Sequence, residues 1–290
     1  MRLSEEILAK INIFQRNEIT EHFIYHKLAR VSKSPQNREI LEQIGDDELK
    51  HYQTWRSYSG KDVEPDRLKI WLYFLISRIM GLTFGIKLME RGEEDAQDHY
   101  QLLTTSIKEV DQIVQDERAH EEKLISMFDE EMLHYIGSIV LGLNDALVEL
   151  TGVLAGLTLA LQDGALIALT GSITGVAAAL SMGASEYLST KTEKTIKQPL
   201  RAAFYTGSTY LFTVLLLIFP YLVLANFYIS LALTLVIAVL IIAFFNFYVS
   251  VAQDEPFGKR FMEMTAISLG VAGVSFLIGY LVRTALGVDV

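Results

Sequence analysis

The chain has 290 residues, with 25 Lys+Arg against 35 Asp+Glu and no cysteine. Without cysteine there are no disulfides, thiolate zinc sites or iron–sulfur clusters, and a net charge of −10 argues against nucleic acid as a partner. The charge is unevenly placed: residues 1–135 hold 18 Lys+Arg against 26 Asp+Glu, whereas residues 136–290 hold only 7 against 9. The length allows two domains. The start, "MRLSEEILAKINIF", is amphipathic and charged throughout, unlike a signal peptide, so the first half is expected to stay where it is made.

The polar half reads as helices near 3–31, 35–59, 82–103 and 107–131, with a more apolar segment, "RLKIWLYFLISRIM" at 67–80, between the pairs. Gly60 and Pro65 break the pattern, and "SKSP" at 32–35 supplies a cap followed by proline at the first helical position. Helical spacing puts Ile11, Phe14, Glu18, His22 and Tyr25 on one stripe, and Ile44, Glu48, His51 and Trp55 on the next. The third stripe holds Ile86, Glu93 and Tyr100, and the fourth Ile113, Glu117, His120 and Leu124. Each apolar stripe thus carries a glutamate, which is costly unless something compensates the charge.

The spacing suggests a compensating partner. Asp-Glu-x-x-His occurs twice, as "DELKH" at 47–51 and "DERAH" at 116–120. Glu18 and Glu48 are equidistant from the turn near 33, and Glu93 and Glu117 from a turn near 105, so each antiparallel hairpin brings two inward carboxylates level. The pattern Glu-x6-Tyr precedes each copy, at Glu18/Tyr25 and Glu93/Tyr100. Two hairpins in a four-helix bundle would gather Glu18, Glu48, His51, Glu93, Glu117 and His120 about one point, a constellation that two iron or manganese ions satisfy. His22, Tyr25, Glu90 and Tyr100 are expected in auxiliary or supporting positions. Residues 1–131 resemble a rubrerythrin-type, ferritin-like di-iron domain. His120 departs from that type, which has glutamate there, and no rubredoxin-like cysteine domain accompanies it.

The apolar half offers five stretches long enough to cross a bilayer, near 136–161, 164–189, 203–225, 228–252 and 263–286. Lys191, Lys194, Lys197 and Arg201 lie in one connection and Lys259 and Arg260 in another, while the alternate connections have no basic residue. This pattern predicts a cytoplasmic N-terminal half and a C-terminus outside. Asp145 and Glu149 lie one turn apart in the first span, and Met182 and Glu186 in the second. Ionised groups at such depth usually line a path. Asp145 and Met182 are equidistant from "QDG" and so are expected at equal depth, where oxygen beside sulfur favours a transition metal. Gly171, Gly175, Ala179 and Gly183 form a ridge of small residues, suited to close packing within a protomer or between two.

Residues 134–290 resemble the vacuolar iron transporter family, on "GLNDALVELTGVLAGL" and "GVAAALSMGASEYLS". The resemblance implies a homodimer in the bilayer that exchanges protons for ferrous iron, with Asp145 and Met182 in the path. The long metal-binding insert of the plant-type members is absent between the second and third spans. The whole chain resembles the membrane-bound ferritins of bacteria and archaea, which fuse these two families. The all-α chain is therefore expected to combine a ferritin-like bundle (1–131), holding two Fe ions or Mn, with a five-helix membrane domain (132–290). Its expected role is export of Fe2+, the alternative being a membrane-anchored di-iron oxidase or peroxidase.

Overall fold

Every regular element among the described residues is an α-helix, as the helical spacing and the long apolar stretches lead one to expect. The computed structural model describes residues 5–100, 109–126, 135–193, 197–253 and 255–286, with backbone alone at 6, 93–100, 125, 126 and 286. The chain divides into two compact units, Met1–Glu130 and Glu131–Val290.

In the first unit, α1 (Glu5–Val31) and α2 (Pro35–Ser59) form a closely packed hairpin. Ser34 caps α2 by accepting from the Asn37 N–H, Pro35 occupies the first turn, and Gly60 ends the helix at φ 65°. That left-handed conformation suits glycine because it has no Cβ. Asp66 caps α3 (Arg67–Met80), which packs on α1 and on α4 (Leu82–Tyr100); α5 (Val110–Ser126) packs on α2 and α4. Ile24, Leu41, Ile44, Ile86 and Leu124 form one buried cluster, and Ile11, Phe14, Trp55 and Ile113 another. The described members of the apolar stripes thus face inward as expected, except that His22 and Glu117 are only partly buried. The expected turn near 105 and the ends beyond Tyr100 and Ser126 lie outside the described residues.

The second unit contains α6 (Ile136–Leu161), α7 (Gly164–Thr192), α8 (Pro199–Val223), α9 (Phe227–Gln253) and α10 (Phe257–Leu286). All five are long and apolar enough to cross a membrane. Helix α6 is central and packs on the other four. Leu180, Leu200, Phe204, Leu222 and Phe244 point outward, which suits lipid rather than water. Four helices extend beyond the expected spans: α7 runs to Thr192, α8 starts at Pro199, α9 gains one residue at each end and α10 starts at Phe257. Hydropathy marks membrane depth, whereas helix ends follow their caps and prolines. Pro199 opens α8 in its first turn, and Pro256 immediately precedes α10. Pro220 lies within α8, which continues to Val223, so the break before α9 falls at residues 224–226.

The ridge on α7 has its partner within the chain. A Cβ on Gly175 would meet Val214, and one on Gly183 would come 3.3 Å from the Ala203 carbonyl oxygen. Gly207 on α8 faces the same crossing, with Ala179 O and the Gly183 Cα opposite. Small residues on both helices let α7 and α8 touch backbone to backbone.

Candidate metal centre

Three helices of the N-terminal unit converge on a buried cluster. Glu18 comes from α1, Glu48 and His51 from α2, and Glu117 and His120 from α5. One ligand atom from each of Glu18, Glu48, His51 and Glu117 lies within 4.8 Å of the others. His51 Nδ1 is 3.2 Å from Glu117 Oε1, 3.3 Å from Glu48 Oε2 and 3.7 Å from Glu18 Oε2. His120 Nδ1 is 3.3 Å from Glu48 Oε1 and 3.5 Å from Glu117 Oε2. Glu48 and Glu117 therefore each reach both imidazoles, one oxygen apiece. Trp55 donates from Nε1 to Glu18 Oε1 at 2.9 Å, which holds that carboxylate with its second oxygen toward His51.

The outer nitrogens of the rings cross over between the two motifs. His51 Nε2 lies 3.3 Å from Asp116 Oδ2, and His120 Nε2 lies 3.3 Å from Asp47 Oδ2. Each aspartate thus serves the histidine of the other Asp-Glu-x-x-His copy. A carboxylate on one ring nitrogen fixes the tautomer and leaves the other nitrogen free for a metal. His120 Nδ1 fits that arrangement. It is buried and makes no hydrogen bond of acceptable geometry among the described residues, although two carboxylate oxygens are close by.

The electrostatics are those of carboxylates gathered away from water. Burial pushes Glu48 well above its ordinary value, and the Glu117 charge adds to this against the pull of the adjacent His120 and His51 imidazoles. Burial would raise Glu117 too, but the adjacent His120 and His51 imidazoles outweigh it and bring it down to about 2. Burial works to lower both imidazoles; the surrounding carboxylates, Glu117 foremost, overcome it, raising His120 to about 10 and His51 further. Protons on the imidazoles thus offset negative charge that a divalent cation would otherwise neutralise.

Two further carboxylates feel the same field. Tyr25 donates to Glu90 Oε1 at 2.9 Å; burial lifts Glu90 to about 7 against that bond, with the Glu117 charge adding to the rise. Burial also lifts Glu21 to about 8 against the pull of Lys69, whose Nζ is 3.4 Å away; Glu18, Glu117 and Glu90 add to the rise. The side chains of Glu93 and Tyr100 lie outside the described residues. His22 bonds instead to the Gly45 carbonyl, through Nδ1 at 2.6 Å. The supporting roles of Asp47, Asp116 and Trp55 and the burial of Glu21 were not expected from the sequence. The aspartates were visible within the repeated motif, while Glu21 carried no signal beyond standing three residues after Glu18.

In the membrane unit, Asp145 lines a groove of about 420 Å³ with Gly137, Val140, Asn144 and Val148. Val140 and Asn144 also line a second cavity of about 490 Å³, with Asn246, Glu255, Lys259, Glu263 and Met264. Glu149 Oε2 accepts from the Tyr210 hydroxyl at 2.7 Å, and Glu186 Oε1 accepts from Ser138. Met182 is half-buried against the central core. Among the described residues no hydrogen bond or ion pair engages Asp145.

Residues 136–198 match the VIT family model. The match covers α6, α7 and the connection to α8, and it contains Asp145, Glu149, Met182 and Glu186. The VIT-family segment and the five apolar helices together support a membrane metal transporter of the VIT type. No curated protein matches the chain.

Proposed function

We propose that the chain moves ferrous iron, with manganese as second choice, across a membrane in exchange for protons, and that its N-terminal unit is a ferritin-like di-metal bundle. The observation that carries the transport reading is the VIT-family match over the segment that bears Asp145 and Met182. Asp145 lies half-buried in a groove, where an ionised group at mid-membrane costs about 2.5–3.5 kcal/mol unless it serves a path. A homodimer that closes this groove is part of the same reading.

The di-metal reading rests on Glu48 and Glu117, each within reach of both imidazoles, as carboxylates shared by two ions would be. Glu18, Glu48, His51, Glu117 and His120 would hold the pair. The donor expected from α4 is Glu93 by sequence register, with Glu90, which accepts from Tyr25, in a supporting position. Two bound irons would supply one-electron redox chemistry at this place. The chain's own residues bury the site, hold the imidazoles in one tautomer through Asp47 and Asp116, and supply negative charge. The same cluster supports a second activity, oxidation of ferrous iron or reduction of peroxide, with the spans as an anchor. Consumption of oxygen or peroxide on adding ferrous iron separates a redox site from a storage or sensing one.

The test is anaerobic Fe2+ flux in proteoliposomes containing the full chain. Asp145→Ala and Met182→Ala should each slow flux at least about tenfold, the rate equivalent of ~1.4 kcal/mol at a transit site. Glu48→Ala with Glu117→Ala should abolish the two bound ions and spare flux at saturating Fe2+. Unchanged flux in both membrane variants would sink the path; two ions retained after the double replacement would sink the bundle site.

A further inference from the structure

We propose that His22, His26 and Asp46 form a separate, solvent-accessible site for one divalent first-row transition cation on the α1–α2 face of the N-terminal unit. One ligand atom from each of the three lies within 4.8 Å of the other two. His22 and His26 stand one turn apart on α1, so both rings rise from the same face. The rings sit at 4.6 Å between centroids with planes at 67°. Asp46 reaches across from α2.

The detailed geometry suits a metal. His22 Nδ1 lies 2.6 Å from the Gly45 carbonyl oxygen, which can only accept, so in the neutral ring Nδ1 carries the proton and Nε2 is the nitrogen with a lone pair to give. A backbone carbonyl on the far nitrogen is a usual support for a metal-bound imidazole. His26 Nε2 and Asp46 Oδ1 are 3.0 Å apart. Two ligands at right angles on an ion, each bonded at about 2.1 Å, are separated by roughly that distance. Two imidazoles and one carboxylate suit Fe2+, Co2+ or Zn2+ better than Mg2+ or Ca2+. Three protein donors leave positions for water, so a bound ion would exchange.

Gly45 is built into this arrangement. It lies inside α2, where glycine costs about 1 kcal/mol relative to alanine. A Cβ there would come 2.9 Å from His26 Cδ2 and 3.2 Å from Nε2, so the missing side chain lets the imidazole lie against the helix. The next residues, Asp47 and Glu48, serve the buried cluster through His120. Four consecutive positions on α2 thus support two neighbouring sites. Asp46, with its side chain 64% accessible, stands on the open side.

The experiment is Co2+ titration of the full chain in detergent, followed by visible absorption and by equilibrium dialysis. Glu48→Gln with Glu117→Gln silences the buried cluster. In that background, a His-dependent Co2+ spectrum should persist, His26→Gln should weaken it at least tenfold, and Asp46→Asn should weaken it several-fold. Asp46 is exposed, so Asp46→Asn tests the site without disturbing the core. A Co2+ spectrum and affinity left unaltered by both replacements, or no Co2+ bound in that background, overturns the proposal. In the otherwise unaltered chain, loss of one Co2+ with His26→Gln while the buried ions remain supports it; no loss there counts against this site alone and leaves the di-metal reading standing.

Discussion

Asp47 and Asp116 each stand beside the glutamate of their own motif, yet each contacts the histidine of the other. Along a single helix, Asp47 and His51 are four apart and would be expected to pair with each other. The pairing across helices follows from how α2 and α5 meet, which spacing within one helix cannot show. The crossing makes a specific prediction. Asp116→Asn should weaken the ion held by His51, and Asp47→Asn the ion held by His120, each by about 10–100-fold, with the first-contact ligands intact. Metal titration of each variant with one histidine also replaced assigns the effect. If Asp116→Asn weakens binding equally whether His51 or His120 has been removed, the crossing has no role. The glutamates and histidines of the cluster were legible in advance because a charged residue on an apolar stripe is conspicuous. Glu21 was not, because its burial depends on α3 and Lys69 closing over that side of α1.

Helix identities were legible from breakers and caps, and helix contacts much less so. Ser34, Pro35 and Gly60 delimit α2 as expected. The start of α10 fell earlier than hydropathy suggests, because its first turns carry Gly258, Lys259 and Arg260 but remain helical. The four-residue ridge on α7 indicated close packing without naming its partner, since a small-residue face fits any similarly small surface. In the folded chain that surface is α8, at Gly207 and Ala203. The closeness there leaves little room for relaxation, because the neighbours are backbone atoms rather than flexible side chains. Gly183→Leu should therefore separate α7 from α8 and cost about 1–3 kcal/mol or more by overpacking. Leu180→Ala, on the outward side of the same helix, should change stability far less. Thermal unfolding of both variants in the same detergent checks this. Equal midpoints would mean that the crossing tolerates a large side chain.

Over the whole molecule, the division of charge bears on the direction of transport. The acidic N-terminal residues precede an apolar unit whose basic connections carry Lys191, Lys194, Lys197, Arg201, Lys259 and Arg260. Basic residues in short loops favour the cytoplasmic side, which supports the same side for the N-terminal unit. Cytoplasmic ferrous iron would then be the ion it meets. Protonation weakens a carboxylate's hold on a cation, so protons arriving at Asp145 from outside would favour release there. The hypothesis is export of Fe2+ driven by inward protons. In inverted membrane vesicles, whose outer face is the cytoplasmic one, an acidic interior should accelerate Fe2+ uptake, and Asp145→Asn should abolish that acceleration. Glu48→Gln with Glu117→Gln should leave the acceleration in place at high Fe2+ if the ion path lies in the membrane unit, as proposed. Cells lacking the protein should accumulate iron and become sensitive to peroxide. If an acidic interior instead expels Fe2+ from such vesicles, or if loss of the protein lowers cellular iron, the direction is import and the N-terminal unit receives metal rather than delivering it.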